Sequence, residues 1–117
     1  VNWYLLQTKP NAHFAASEHL KRQGFDVFLP LITKTTKISG KFMNKTTPLF
    51  PGYIFMGTST EVTPWKSING TRGISKAVTL DGIYRPVNTY IIEGLRFRCD
   101  ARGIFQRLTD IVSGDRV

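Results

Sequence analysis

The sequence is short of the residues that build disulfides, metal sites and acid–base pairs: one cysteine, two histidines and eight acids among 117 residues. Cys99 has no second thiol, so an intrachain disulfide is excluded and a structural zinc site of several thiolates has no ligands. Its place on an apolar helical stripe suggests an inert, buried thiol. His13 and His19 are six residues apart, which separates them widely around a helix of about 3.6 residues per turn. They do not form a helical metal-binding pair. Gly70 and Gly73, in Gly-Thr-Arg-Gly, fit neither the Walker pattern nor the dinucleotide fingerprint, and the acids are dispersed. These absences point to a binding module rather than an enzyme, with no cofactor. No apolar run approaches the roughly 20 residues that span a bilayer, and no leader pattern precedes Trp3-Tyr4-Leu5-Leu6, so no membrane partner is expected. We expect a soluble, cytoplasmic monomer.

What the sequence has in excess is positive charge. Lys and Arg number 16, giving a net charge of +8, while 41% hydrophobic and 21% charged residues are ordinary values for one globular domain. Residues 31–50 hold Lys34, Lys37, Lys41 and Lys45 and no acid, and residues 51–80 add a net +2; the two ends contribute only +1 each. Such a run describes a solvated hairpin as well as it describes a nucleic-acid contact.

The pattern along the chain predicts an α+β fold. Trp3 to Thr8 is a first strand; Ala12 to Gln23, with Ala12, Ala16 and Leu20 at helical spacing, is a helix capped by Asn11 and ended by Gly24. Residues 25–29 form a second strand, and 31–48 a long basic hairpin turning at Ser39-Gly40. Leu49 to Met56 is the third main strand, kinked by Pro51-Gly52. Thr63 and Pro64 open a short helix to Ile68, residues 74–80 form a strand turned by Asp81-Gly82, and Asn88 caps a last helix reaching about Asp100. On that helix Ile91, Ile92, Leu95 and Cys99 make one stripe. The order implies a split βαβ or ferredoxin-like antiparallel sheet flanked by helices, with a protruding basic β-hairpin. Residues 1–100 make the domain and 101–113 a linker. Since the chain starts without methionine and stops as a turn begins at Ser113-Gly114, we expect it to be one domain of a longer protein.

Two groups of residues carry the functional reading. In the strand through Phe50-Pro51-Gly52-Tyr53-Ile54-Phe55, Tyr53 and Phe55 point to one face and Ile54 and Met56 to the other. The obvious helices are taken up by the second of these faces, so Tyr53 and Phe55 are expected in an exposed protein-binding patch. His19 and Arg22 flank the apolar stripe of the first helix, with Lys9 before it; Gln23, Asn69, Thr71 and Arg72 add donors. These side chains suit base edges, and the hairpin lysines suit phosphates, although an ordinary solvated helix face has the same composition.

Trp3-Tyr4, Phe50-Pro51-Gly52-Tyr53-Ile54-Phe55, Thr71-Arg72-Gly73-Ile74-Ser75 and Gly114-Asp115-Arg116-Val117, in this order, resemble the N-terminal (NGN) domain of the NusG family of transcription factors. Leu49-Phe50-Pro51 with Ile68-Asn69-Gly70-Thr71-Arg72-Gly73 is more similar to the specialised RfaH branch than to housekeeping NusG. The resemblance implies a non-enzymatic factor that bridges the cleft of bacterial RNA polymerase and suppresses pausing and termination. It assigns Phe50, Pro51, Tyr53, Phe55, Ile92 and Leu95 to the clamp helices of the β′ subunit. Pro64, Trp65 and Lys66 align with the segment that touches the β gate loop, but depart from its His-Thr-Thr type, and Gln7 replaces an aromatic residue of the patch. Lys9, His19, Arg22, Gln23, Asn69, Thr71 and Arg72 align with a surface that reads the non-template DNA strand. Gly114 to Val117 would begin a KOW-type barrel, which in relatives recruits the ribosome or Rho and in RfaH masks the polymerase patch. A general NusG factor and a ribonucleoprotein-type RNA-binding module are the rival readings. The latter expects a basic residue and glycine before the strand aromatic, where Pro51-Gly52-Tyr53 has proline.

Overall fold

The computed structural model describes residues 1–106. Its elements are β1 (Asn2–Thr8), α1 (His13–Arg22), β2 (Asp26–Phe28), β3 (Leu31–Ile38), β4 (Lys41–Pro48), β5 (Tyr53–Thr58), α2 (Trp65–Asn69), β6 (Ile74–Ala77) and α3 (Thr89–Phe97). Four strands form an antiparallel sheet in the order β2-β5-β1-β6, and β3 and β4 form a separate two-stranded ribbon. The α+β fold with a projecting hairpin is the one expected.

Pleating gives the sheet two faces. On one, Leu6, Ile54, Met56, Ile74 and Ala77 pack with Ala16 and Leu20 of α1 and Ile68 of α2. Each large aliphatic side chain buried here contributes about 1.5–3 kcal/mol relative to exposure. Small Ala16 lets α1 lie close, as the alanine stripe predicts. On the other face Trp3, Phe28 and Phe55 close around Ile92 of α3, with Leu5, Val87, Leu95 and Cys99 half-buried beside them. The Arg96 guanidinium lies 4.6 Å from the Trp3 ring centre and 5.2 Å from that of Phe28, adding cation–π attraction to the docking.

This second contact corrects the expectation of a bare aromatic face. Phe55 is only 7% exposed, because α3 crosses the sheet there and seats Ile92 on it. Ile91, expected on the inward stripe, points outward at 53% exposure. The helix also ends at Phe97, so Cys99 follows it in an isolated bridge to Phe105. Burial, reinforced by the Asp100 charge, pushes the Cys99 thiol above its ordinary value.

Element ends differ where local chemistry competes. Asn11 does not cap α1: its φ of 57° puts it in a left-handed turn, and Ala12 stands at the N-cap without a side-chain bond. Thr63 makes no cap for α2 either; Pro64 is the N-cap residue. Asn88 does cap α3, its side chain accepting from the Tyr90 N–H at 2.8 Å. β5 starts at Tyr53 rather than Leu49 because Pro51-Gly52 form the corner of a tight turn, closed by the Tyr53 N–H donating to the Phe50 carbonyl at 3.1 Å. Gly52, at φ 86°, takes the position that only glycine occupies without strain, and proline before it fixes the preceding corner residue.

The hairpin turns at Ser39-Gly40 as expected, with both residues at positive φ. Residues 101–106, the start of the expected linker, fold back onto its base. The Leu31 N–H donates to Gly103 and the Phe105 N–H to Leu31, at 3.0 and 2.7 Å. Residues 107–113 of that linker and the barrel start at 114–117 lie outside the described residues.

Asp100 organises the fold-back. Its carboxylate accepts from the backbone N–H of Arg102 at 2.8 Å and of Ile104 at 3.1 Å, and from the Arg102 guanidinium at 3.0 Å. The Ile104 bond foremost, with Arg102, holds the carboxyl below the usual aspartate value against the opposing effect of burial. With its folded pKa depressed, any stabilisation from ionised Asp100 is complete above about pH 3.9, its unfolded value, and is lost as pH falls through the folded value. An NMR titration should therefore shift the Ile104 amide resonance with a midpoint below that pH; a midpoint at or above it would refute the assignment.

Candidate functional site

The apolar group assembles around the proline-glycine turn. Phe50 and Tyr53 stand at its ends, 39% and 37% exposed, and Pro51 at its tip is exposed. The Phe50 ring meets Phe55 edge-on, centres 6.0 Å apart, so the buried Phe55 supports the exposed Phe50. Leu95 is half-buried against the same cluster, and Ile92 is buried beneath it. The six residues thus divide: Phe50, Pro51 and Tyr53 form an accessible rim, Leu95 borders it, and Phe55 and Ile92 are its floor. Gln7 stands opposite Tyr53 in the sheet register.

The polar group lies where α1 ends against the segment 71–73. Gln23 Nε2 donates to Thr71 Oγ1 at 2.8 Å and to the His19 carbonyl at 3.3 Å, and Gln23 Oε1 accepts from Ser67 Oγ at 2.8 Å. Thr71 Oγ1 in turn donates to the Ser67 carbonyl at 2.9 Å. Nearby, the Lys9 N–H donates to the Gly73 carbonyl at 2.9 Å. Asn69 is committed as well: its Nδ2 donates to Tyr84 Oη at 3.0 Å, and its Oδ1 accepts from the Ala77 N–H at 2.7 Å. Of the seven residues expected on a reading surface, the side chains of Gln23, Asn69 and Thr71 are therefore joined into the fold, and Thr71 is buried. Lys9, Arg22 and Arg72 are exposed, His19 is half-buried, and none of the four is in an ion pair among the described residues.

The family model for NusG, described as transcription termination factor nusG, matches residues 1–96. The chain belongs to the NusG family. It carries that family's non-catalytic transcription-factor module, with a general role as a transcription elongation factor.

In this NusG-family domain the segment 64–66 has a mixed part. Trp65 stacks on Tyr84, ring centres 3.9 Å apart and planes at 11°, and meets Tyr4 edge-on at 4.7 Å. Its ring is thereby a packing element, while Pro64 and Lys66 are exposed. Sequence reading missed Ser67, Tyr84 and Arg96, whose roles arise from contacts remote in the chain. A tyrosine or serine between apolar residues carries no local sign of such a partner.

The hairpin supplies a further basic surface. Lys34 stands directly opposite Lys45, and Lys41 shares their face with Ile38 and Met43. Lys37 lies on the other face, its Nζ 5.7 Å from the centre of the Phe42 ring. Among the described residues no group of three His, Cys, Asp or Glu side chains is placed to hold a metal ion.

Proposed function

We propose that this NusG-family protein is an RfaH-like, operon-specific antitermination factor. It docks on the β′ clamp helices of bacterial RNA polymerase through Phe50, Pro51, Tyr53 and Leu95, over the floor of Phe55 and Ile92. It reads a specific element of the non-template DNA strand with Lys9, His19, Arg22 and Arg72. The observation that best supports this reading is the separation of the two groups. The aromatic turn packs with the α3 face of the sheet, whereas the basic seam is built on α1, which packs on the opposite face. One domain can then grip protein with one side and single-stranded DNA with the other, bridging them. We place exposed Pro64 and Lys66, beside Trp65, toward the β gate loop. In this reading a KOW-type domain starting near Gly114 would recruit the ribosome or Rho.

Gel shifts on reconstituted elongation complexes with varied non-template strands test both halves. Tyr53→Ala should weaken polymerase binding about tenfold on every template, the effect of losing roughly 1.4 kcal/mol at an aromatic anchor. Arg22→Ala should weaken recruitment only at the preferred sequence. Equal recruitment of the unmodified protein to all templates would make it a general elongation factor, and tight binding to free single-stranded RNA without polymerase would make it an RNA-binding module.

A further inference from the structure

We infer that Gln23, Ser67 and Thr71 are positioning residues, a hydrogen-bonded strut that sets the spacing of Arg22 and Arg72 for sequence discrimination in single-stranded DNA. The inference rests on the proposed reading of DNA by this face, and it moves Gln23 and Thr71 from contact to support.

The chemistry of the strut leaves Gln23 little with which to read a base. A glutamine that recognises adenine offers one amide N–H and its carbonyl oxygen together. Here Nε2 has two acceptors, Thr71 Oγ1 and the His19 carbonyl, and Oε1 already accepts from Ser67. Both amide N–H groups are thus taken, so the paired donor and acceptor contact to adenine could form only by breaking a bond in the network. The orientation of the amide is also fixed from a distance. Because the Thr71 hydroxyl donates its proton to the Ser67 carbonyl, its oxygen can only accept from Gln23, which demands the amide nitrogen there. The Ser67 hydroxyl then completes the ring by donating to the amide oxygen. Three side chains from two segments, 44 and 48 residues apart, settle one another's hydrogen positions.

The two ends of this ring adjoin the two exposed arginines. Arg22 precedes Gln23 at the end of α1, and Arg72 follows Thr71. Long guanidinium side chains are useful for discrimination only if their backbones are held, since each otherwise follows whichever base or phosphate is nearest. Attraction to phosphates needs only the charges and survives loss of the spacing. The strut therefore acts on selectivity and leaves nonspecific affinity in place, which separates it from a residue that merely stabilises the fold.

The test is a selection from elongation complexes carrying a randomised ten-nucleotide non-template strand. The enriched sequence and an oligo(dT) strand of equal length are then compared as binding probes. Ser67→Ala should lower the preference for the enriched sequence about tenfold while oligo(dT) affinity and its salt dependence stay within about twofold. Ser67→Thr, which restores the hydroxyl, should recover the preference. Solvent exchange of the Gln23 side-chain amide protons, followed by NMR on the free protein, should accelerate in Ser67→Ala and not in Ser67→Thr. Undiminished preference in Ser67→Ala, or an equal loss on both probes, would overturn the strut. If the unmodified protein enriches no sequence, the DNA-reading proposal itself fails and the strut with it, an outcome distinct from the other two.

Discussion

Gly73→Ala is expected to cost about 2–5 kcal/mol of stability, the sum of a left-handed backbone penalty and the strain of forcing atoms into a packed site. Gly73 has φ 91°, and a Cβ there would stand 2.9 Å from the Ala16 nitrogen and 3.0 Å from the Ala12 carbonyl oxygen. Both neighbours are backbone of the first turn of α1, which cannot rotate aside like a side chain. Relief requires moving the 71–73 segment away from α1, and that displacement breaks the Lys9-to-Gly73 hydrogen bond and distorts the Gln23 strut. Gly24 provides the control, because its φ is 92° and a Cβ there meets nothing within 4 Å. Gly24→Ala should thus show only the backbone part, about 1–2 kcal/mol. Denaturant unfolding of the two variants measures the difference, and equal losses would show that the close approach to α1 costs nothing.

Ile92→Ala is expected to destabilise the protein by a comparable amount, about 2–5 kcal/mol, the range for truncating a buried aliphatic side chain to alanine. Ile92 is 1% exposed and sits among Trp3, Phe28 and Phe55. It is the buried anchor of α3 on a sheet face made mostly of aromatic rings. Arg96 adds attraction over Trp3 and Phe28 but cannot fill the cavity, since its charged end lies outside the cluster's buried centre. The variant should also lose polymerase binding, because Phe55, which supports the Phe50 ring, loses its cover. Tyr53→Ala, by contrast, should weaken binding with little change in stability, Tyr53 being 37% exposed at the rim. Measuring melting and binding for both variants separates floor from rim; a stable Ile92→Ala protein would remove the distinction.

The parts of this fold that sequence reveals are those fixed over a few residues. The aromatic and aliphatic runs of β1 and β5, the alanine spacing of α1, the Ser39-Gly40 turn and the Asn88 cap each depend on neighbours in the chain, and each was legible. Asn11 shows the limit: the same residue type suits a cap or a left-handed turn, and here the Lys9–Ala12 turn takes it. The burial of Phe55 was not legible because it depends on which face α3 crosses, a tertiary outcome fixed by Ile92 and Arg96 meeting Trp3 and Phe28. The polar site was legible as a set of positions but not as roles. Thr71 looks like a free hydroxyl until Gln23 and Ser67 are seen on either side of it.

The lysine pair on the hairpin has a consequence for how the molecule avoids itself. Toward the Ser39-Gly40 turn the ribbon exposes apolar surface at Ile38, Phe42 and Met43. Those are the ingredients of intermolecular strand addition. Lys34 and Lys45 stand side by side across the ribbon, so any second ribbon adding in register would extend a row of like charge rather than a row of partners. The lysine pair thus acts as a gatekeeper against aggregation, keeping one arm from adding to another.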